Sequence, residues 1–186
     1  MKVISKKLKV EYENEENKYF NLSEKSRKVV RLSKKVIYAI QRNDIKEAKK
    51  YLEEMEADFK EMLDGLGDKH LFSGSVKIAV QEYVEAAGLM CFVEKNELIG
   101  YNEKYVDIEN YLCGICDLSG ELVRLCVNCG INGDLKVVER IKSFVEKIYY
   151  DFLEFDLRNS ELRKKSDQIK WNLEKIQDYV FDLKKR

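Results

Sequence analysis

Residues 111–130 read YLCGICDLSGELVRLCVNCG, and their pattern is the clearest guide to the architecture. Apolar or small side chains fill almost every position, which predicts a helix packed against neighbours over most of its surface. At 100° per residue, its few polar side chains fall within about 60° of one another, at Asp117, Glu121, Arg124 and Asn128. Because the stripe is so narrow, we expect it to face a cleft or a polar interior and to mark a functional site.

A second helix with carboxylates in apolar surroundings precedes this one. Residues 79–93, AVQEYVEAAGLMCFV, carry no charged side chains except Glu82 and Glu85. Their spacing of three residues puts both carboxylates on one face of a helix, with Cβ atoms about 5–6 Å apart. Carboxylates are costly to bury unless they are protonated, paired or bound to a metal.

Four carboxylates on two neighbouring helices are typical of a divalent-cation site. Oxygen ligands favour Mg²⁺ or Mn²⁺ over Zn²⁺, and such an ion can activate water and neutralise a phosphoryl group. The same residues also fit a structural arrangement, in which Glu85 and Asp117 form interhelical ion pairs with Arg124 or Lys77. Spacing alone leaves both interpretations open.

The composition indicates an all-α protein. Among 186 residues there are 9 glycines and no proline, so long helices meet few interruptions. The apolar spacing predicts a single-domain antiparallel bundle of six to seven helices over residues 1–186, with residues 1–20 as a candidate flexible N-terminal extension. The fourth helix is predicted to end at Gly130. The predicted helix starts are Ser23, Asp44, Ser75, Asp107, Asp134, and either Asn159 or Ser160.

Charge and hydropathy narrow the classes of function. The formal net charge is zero, but it combines +3 over residues 1–70, −6 over residues 71–135 and +3 over residues 136–186. The sequence has no run of about 18 apolar residues and no apolar core near its N-terminus. We therefore expect a cytoplasmic protein without a membrane span or signal peptide. An acidic centre flanked by basic segments fits a cation and a polyanion as ligands.

Basic residues cluster in SRKVVRLSKK, residues 26–35. Arg27, Arg31, Lys34 and Lys35 line one side of the predicted first helix, where they are candidates for binding RNA phosphates. A solvated helix face would have the same composition, so the spacing does not decide between these interpretations.

Two other motifs do not fit the chemistry that they first suggest. The pairs Cys113–Cys116 and Cys126–Cys129 have zinc-ligand spacing, but both fall on one predicted helix, about 20 Å apart. We therefore expect buried free thiols. The single histidine, His70, excludes a two-histidine ribonuclease mechanism and is predicted to lie at the surface.

Three segments resemble the translin family. They are QEYVEA at 81–86, YLCGICDLSGELVRLCVNCGINGD at 111–134 and LRNSELRKKSDQIKWNLEKIQDYVFDLKKR at 157–186. The first two are more similar to the translin-associated factor X branch and the last to translin itself. The resemblance covers residues 20–186, and it implies a seven-helix fold, a closed octameric shell and RNA as the ligand, with single-stranded RNA as the substrate in the factor X branch. Because one chain carries both kinds of segment, we expect a homo-oligomer.

The factor X branch further implies a metal-dependent endoribonuclease. By motif position, its acidic catalytic residues fall on Glu82, Glu85, Asp117 and Glu121. We expect Glu85 and Glu121, together with Asp117, to bind Mg²⁺ or Mn²⁺. Arg124 and Asn128 are expected to orient the carboxylates or the phosphate.

Two other functions stay open. A non-catalytic oligomer that binds RNA or single-stranded DNA, similar to translin, would use the acidic residues structurally. A purely architectural helical protein would show no affinity for nucleic acid at low salt.

Overall fold

Six helices account for most of the residues that the structure describes. The computed structural model describes residues 5–66, 74–102, 106–158 and 160–185, and within these ranges it contains no strand. The all-α prediction is confirmed, and His70 lies outside the described residues. The helices are α1 (Lys6–Gln41), α2 (Ile45–Asp64), α3 (Gly74–Lys95), α4 (Ile108–Ile131), α5 (Leu135–Leu153) and α6 (Glu161–Lys184).

Aspartates begin three helices where the sequence predicts them. The side chains of Asp44, Asp107 and Asp134 accept hydrogen bonds from backbone N–H groups three residues further on, at 3.0, 3.0 and 3.2 Å. Each bond satisfies an N–H group that the helix leaves unpaired. Helix α6 begins after Ser160, as predicted, and Asn159 lies outside the described residues.

The first helix starts earlier than predicted. Ser23 lies inside α1, which begins after Ser5, whose hydroxyl accepts a hydrogen bond from the N–H of Leu8 at 3.3 Å. Residues 6–20, predicted as a flexible extension, form the exposed N-terminal part of this helix. They have no buried face to signal a helix, but lysine–glutamate pairs at i,i+4 spacing support the helical backbone.

Helix α4 runs one residue past its predicted end. Gly130 lies within the helix, which ends at Ile131. The chain turns at Gly133, whose φ of 79° is readily adopted only by glycine. Gly130 instead lies against the ring of Tyr179 on α6, where a larger side chain would clash.

Helices α1, α3, α4 and α6 run in the same direction, whereas the sequence predicts an antiparallel bundle. Contacts that advance together along both members of each neighbouring pair give this direction. The reason is the segment after α3, which runs back along it, since Ile99 lies beside Gly88 and its carbonyl accepts a hydrogen bond from Tyr111 at 2.6 Å. Helix α4 can therefore start beside the beginning of α3. The contacts are Tyr19 with Gly74 and Ser33 with Glu82 for α1 and α3, Gln81 with Asn110 and Gly88 with Leu118 for α3 and α4, and Lys165 with Asp117 and Tyr179 with Val127 for α4 and α6.

Apolar side chains from every helix form one core. The core includes Ile40, Met55, Leu89, Leu118, Ile141 and Ile176, one from each helix in order.

Among the described residues, no helix is both long and apolar enough to cross a lipid bilayer.

Helices α3 and α4 approach each other closely at Gly114. A Cβ atom added there would lie 2.7 Å from the Cβ of Val84 and 2.8 Å from the carbonyl oxygen of Gln81. The absence of a side chain therefore lets the two backbones pack together. This packing brings the polar side chains of both helices within reach of one another.

Replacing Gly114 by alanine is expected to lower the free energy of unfolding by about 1–3 kcal/mol, because the Gln81 carbonyl belongs to rigid backbone. Gly120 on the same helix is the matched control. The nearest atom to a Cβ there is 3.7 Å away, so Gly120→Ala should instead raise stability by about 0.5–1 kcal/mol. Urea unfolding followed by circular dichroism measures both changes, and equal effects would contradict the close packing.

Candidate functional site

The four predicted acidic residues share one electrostatic environment between α3 and α4. Burial and then the negative charges of Asp117, Glu82 and Glu121 raise the pKa of the Glu85 carboxyl from 4.5 to about 8. Glu85 is half-buried and lies at the centre of the group. The four carboxylates are therefore near enough for their charges to act on one another, and we call them the acidic cluster.

Each of the other three carboxylates accepts a hydrogen bond from α1 or α6. Among the described residues no group donates a hydrogen bond to Glu85, which is the carboxylate that a cation would stabilise most. The pairs are Ser33 Oγ with Glu82 Oε2 at 2.6 Å, Gln41 Nε2 with Glu121 Oε2 at 2.9 Å, and Lys165 Nζ with Asp117 Oδ2.

The alternative ion pairs of Glu85 and Asp117 with Arg124 or Lys77 do not form. The Arg124 guanidinium instead lies 3.7 Å from the carboxylate of Glu121. Lys77 donates a hydrogen bond to Glu161 at the start of α6, at 2.5 Å. Asp117 pairs instead with Lys165. Burial raises the pKa of Asp117, while the hydrogen bond and charge of Lys165 act in the opposite direction.

Gln41 and Asn128 form a chain of hydrogen bonds that ends on Glu121. The amide nitrogen of Asn128 donates to the side-chain oxygen of Gln41 at 2.9 Å. The amide nitrogen of Gln41 then donates to the carboxylate and the backbone carbonyl of Glu121, at 2.9 and 3.0 Å. Asn128 therefore orients Glu121 through Gln41.

The sequence does not predict three of the residues that bond the carboxylates. Ser33, Gln41 and Lys165 lie on α1 and α6, and the sequence alone does not give the register of those helices against α3 and α4. One signal was present for Gln41, because it continues the spacing of the basic residues of α1.

The donors of the acidic cluster suit a hard divalent cation. All are carboxylate oxygens, the ligands that Mg²⁺ and Mn²⁺ prefer, and the repulsion at Glu85 is what a cation would relieve. Among the described residues, no three acidic, histidine or cysteine side chains stand ready to hold a metal. Glu121 and Asp117 each accept the hydrogen bond from Gln41 or Lys165 on one carboxylate oxygen, so the second oxygen could ligate an ion after a shift of the side chains.

Three of the four predicted basic residues line one groove between α1 and α3, of about 430 Å³. Arg27, Arg31 and Lys34 form its basic rim, with Ile78 among the apolar residues that line it. Arg27 also pairs with a glutamate one turn away at 2.8 Å, whereas Arg31 and Lys34 have no acidic partner among the described residues. Lys35 lies elsewhere, over the ring of Tyr51 at 4.8 Å from its centroid. We call this feature the basic groove.

One stripe on α1 connects the basic groove with the acidic cluster. Arg27, Arg31, Lys34, Tyr38 and Gln41 follow one another at spacings of four and three, so they lie within about 80° around the helix. At 1.5 Å per residue the stripe is about 21 Å long. Its last member donates a hydrogen bond into the acidic cluster.

The cysteines behave as structural thiols. Cys113, Cys116 and Cys126 are buried and free, and burial raises the pKa of Cys113 and of Cys126 to about 11. A thiol that keeps its proton is a poor nucleophile and a poor metal ligand. The prediction of buried free thiols is confirmed for these three.

Within the described residues, six helices form an all-α protein that has an acidic cluster beside a cation-lined groove. This arrangement is a candidate site for a cation and a polyanion. Residues 17–186 match the Translin family, and the chain belongs to this family.

Two relatives illustrate the range of similarity. Translin from Gallus gallus is 39% identical over 79 residues, which cover 42% of this chain and 34% of that protein. Translin-associated protein X from Rattus norvegicus is 26% identical over 228 residues, covering 97% of this chain and 77% of that protein. The match thus spans about a third of the length of the Gallus gallus translin.

Solved structures share the fold over almost the whole chain. The crystal structure of apo-NeC3PO superposes with a TM-score of 0.90 at 32% identity, covering 98% of both chains. AfC3PO, in its complex with duplex RNA, superposes with a TM-score of 0.85 at 24% identity, covering 96% of this chain and 95% of that one. The second likeness is one of fold.

Replacing Glu85 by glutamine is expected to stabilise the metal-free protein more at high pH than at low pH. The pKa of Glu85 is about 8 when folded and ordinarily 4.5. As pH rises through this window, the unfolded chain loses a proton that the folded chain keeps, so stability falls. Glutamine mimics the neutral acid and removes this loss, which is worth about 1.4 kcal/mol per pKa unit.

Urea unfolding in EDTA, near pH 4.5 and above pH 8, measures the effect. Glu174→Gln on α6, at a carboxylate that is 45% exposed and pairs with Lys170 among the described residues, is the matched control and should show the same small change at both values. A pH-independent difference between Glu85→Gln and the wild type would contradict the electrostatic environment described above.

Proposed function

We propose that this chain is a divalent-metal-dependent endoribonuclease that cleaves single-stranded RNA. The observation that carries the proposal is that hydrogen bonds from α1 and α6 converge on Glu82, Asp117 and Glu121, whose charges act on the half-buried Glu85. The basic groove leads to this cluster along α1 and α3. A cation site next to a phosphate-binding surface is the minimum that metal-assisted cleavage of a phosphodiester needs.

Glu85, Asp117 and Glu121 would hold Mg²⁺ or Mn²⁺. When bound, such an ion supplies Lewis-acid chemistry, namely activation of water and neutralisation of phosphoryl charge. Glu82, fixed by Ser33 at 2.6 Å, is placed to orient a water molecule or accept its proton.

Neighbouring residues would prepare the cluster for this work. Asn128 and Gln41 fix the orientation of Glu121, and Lys165 offsets the charge of Asp117. Arg124, 3.7 Å from Glu121, is placed to contact a phosphate oxygen of the bound RNA.

Similarity to named relatives supports RNA as the ligand. AfC3PO, which shares the fold, was solved in complex with duplex RNA. The similarity to translin-associated protein X over 97% of this chain supports the catalytic branch of the family.

We also propose that the chain assembles as a homo-oligomer, with an octamer as the expected size from the family resemblance. Trp171 and Phe181 on α6 are 61% and 60% exposed in the single chain. Large apolar side chains left in water support a contact with a further copy.

A non-catalytic RNA-binding oligomer is the second candidate function. It is favoured by one observation, that Ser33, Gln41 and Lys165 already satisfy three of the four carboxylates without a metal. In that case the acidic cluster would only hold α1, α3, α4 and α6 together.

Removing the metal is expected to abolish cleavage, and adding Mg²⁺ or Mn²⁺ back should restore it. The double variant Glu85→Gln/Glu121→Gln should lose roughly 100-fold or more of the activity, because it removes two ligand charges. Cleavage of a fluorescent single-stranded RNA is measured in EDTA and across a metal series, with Glu174→Gln as the matched control. Undiminished cleavage in EDTA, or in a folded double variant, would contradict the metal mechanism. RNA binding without cleavage across the whole metal series would instead support the second candidate function.

The basic groove is expected to supply most of the RNA affinity. Arg31→Ala/Lys34→Ala should weaken binding and reduce the slope of log affinity against log salt by up to about two, because two phosphate contacts are lost. Fluorescence anisotropy at several salt concentrations measures both quantities. The control Lys136→Ala/Lys175→Ala removes two exposed lysines of α5 and α6, and an equal loss in the control would refute a specific groove.

A further inference from the structure

Tyr38 occupies the step of the α1 stripe between the cations and Gln41. Its side chain is 51% exposed, and the guanidinium of Arg124 lies over its ring, 4.9 Å from the ring centroid. Arg124 is itself exposed and reaches to within 3.7 Å of Glu121. An open aromatic ring covered in part by a planar cation therefore stands at the edge of the acidic cluster.

The acidic cluster and this pair lie side by side along the helices. Because α1, α3 and α4 run in the same direction, their residues can be ordered along one axis. The groove comes first, at Ile78, and Glu82 and Glu85 follow one and two turns later on the same helix. On α1, Tyr38 comes after the cations of the groove and about one turn before Gln41, which bonds the cluster. A strand whose phosphates follow the groove thus reaches Tyr38 level with the carboxylates.

We infer that Tyr38 and Arg124 form a stacking platform for one unpaired nucleobase of a single-stranded nucleic acid, next to the phosphodiester that lies at the acidic cluster. The inference rests on the proposed function for the nature of the ligand, and it does not require cleavage. Aromatic rings and guanidinium planes stack on every base, so the platform holds the strand without reading its sequence. Paired bases are stacked inside a duplex and are not free to reach it.

The stripe has the dimensions that such a strand needs. Its 21 Å, about 1.5 Å for each of 14 residues, accommodates a few extended nucleotides between Arg27 and Gln41. Cations contact phosphates at one end, and the ring takes a base at the other. Charge complementarity and an exposed ring therefore meet on one continuous face.

The test uses a short single-stranded RNA that carries 2-aminopurine, whose fluorescence is quenched when the base stacks. With the intact chain in EDTA, binding should quench the probe at one or more positions of the strand. Tyr38→Phe should keep the quenching, and Tyr38→Ala should lose it and bind the strand roughly tenfold more weakly. Affinity for a duplex of the same length should stay unchanged in both variants.

Tyr150→Ala is the matched control, because Tyr150 is 60% exposed on α5 and its ring lies beside that of Tyr149, with 6.0 Å between the ring centroids. The platform is overturned if Tyr38→Ala binds like Tyr150→Ala, if its duplex affinity falls as much as its single-strand affinity, or if no probe position is quenched in the wild type. That last measurement needs no variant, so an unfolded Tyr38→Ala protein would not block the test. If the wild type binds neither the single strand nor the duplex, the proposed function and the platform both fail. If Arg31→Ala/Lys34→Ala loses binding while Tyr38→Ala binds fully, only the platform is overturned.

Discussion

The carboxylate of Glu85 lies on α3, one of the two most apolar of the described helices, where the charges of three other carboxylates act on it. Burial and like charge together raise its pKa to about 8, so the folded chain bears an electrostatic cost at neutral pH. The surrounding structure limits this cost. Ser33, Gln41 and Lys165 reach in from α1 and α6, and each bonds one of the other carboxylates. Clustered carboxylates that cost stability and are held by residues of two further helices indicate a functional site rather than a purely structural one.

The direction of the helices turns this local chemistry into an extended surface. Because α1, α3, α4 and α6 run in the same direction, their polar stripes lie in register instead of crossing. The basic groove then leads to the acidic cluster, and the Tyr38–Arg124 pair lies level with that cluster. The close approach at Gly114 makes this register possible, since it brings the backbones of α3 and α4 together without a side chain between them.

The sequence predicts those parts of the molecule that depend on neighbours in the chain. Aspartate caps fix three helix starts through bonds to residues only three positions away, and the spacing within α4 gathers Asp117 and Glu121 on one face. It does not predict contacts that depend on tertiary register, such as the bond from Lys165 to Asp117. Nor does it reveal the N-terminal part of α1, because an exposed helix held by its own ion pairs lacks an apolar stripe.

Anomalous diffraction from crystals soaked in Mn²⁺ decides whether the acidic cluster holds a divalent cation. We expect a peak at coordination distance, about 2.0–2.4 Å, from oxygens of Glu85 and of at least one of Asp117 and Glu121. Mn²⁺ bound only elsewhere, at Mn²⁺ concentrations that saturate the protein in solution, would contradict the proposed cation site.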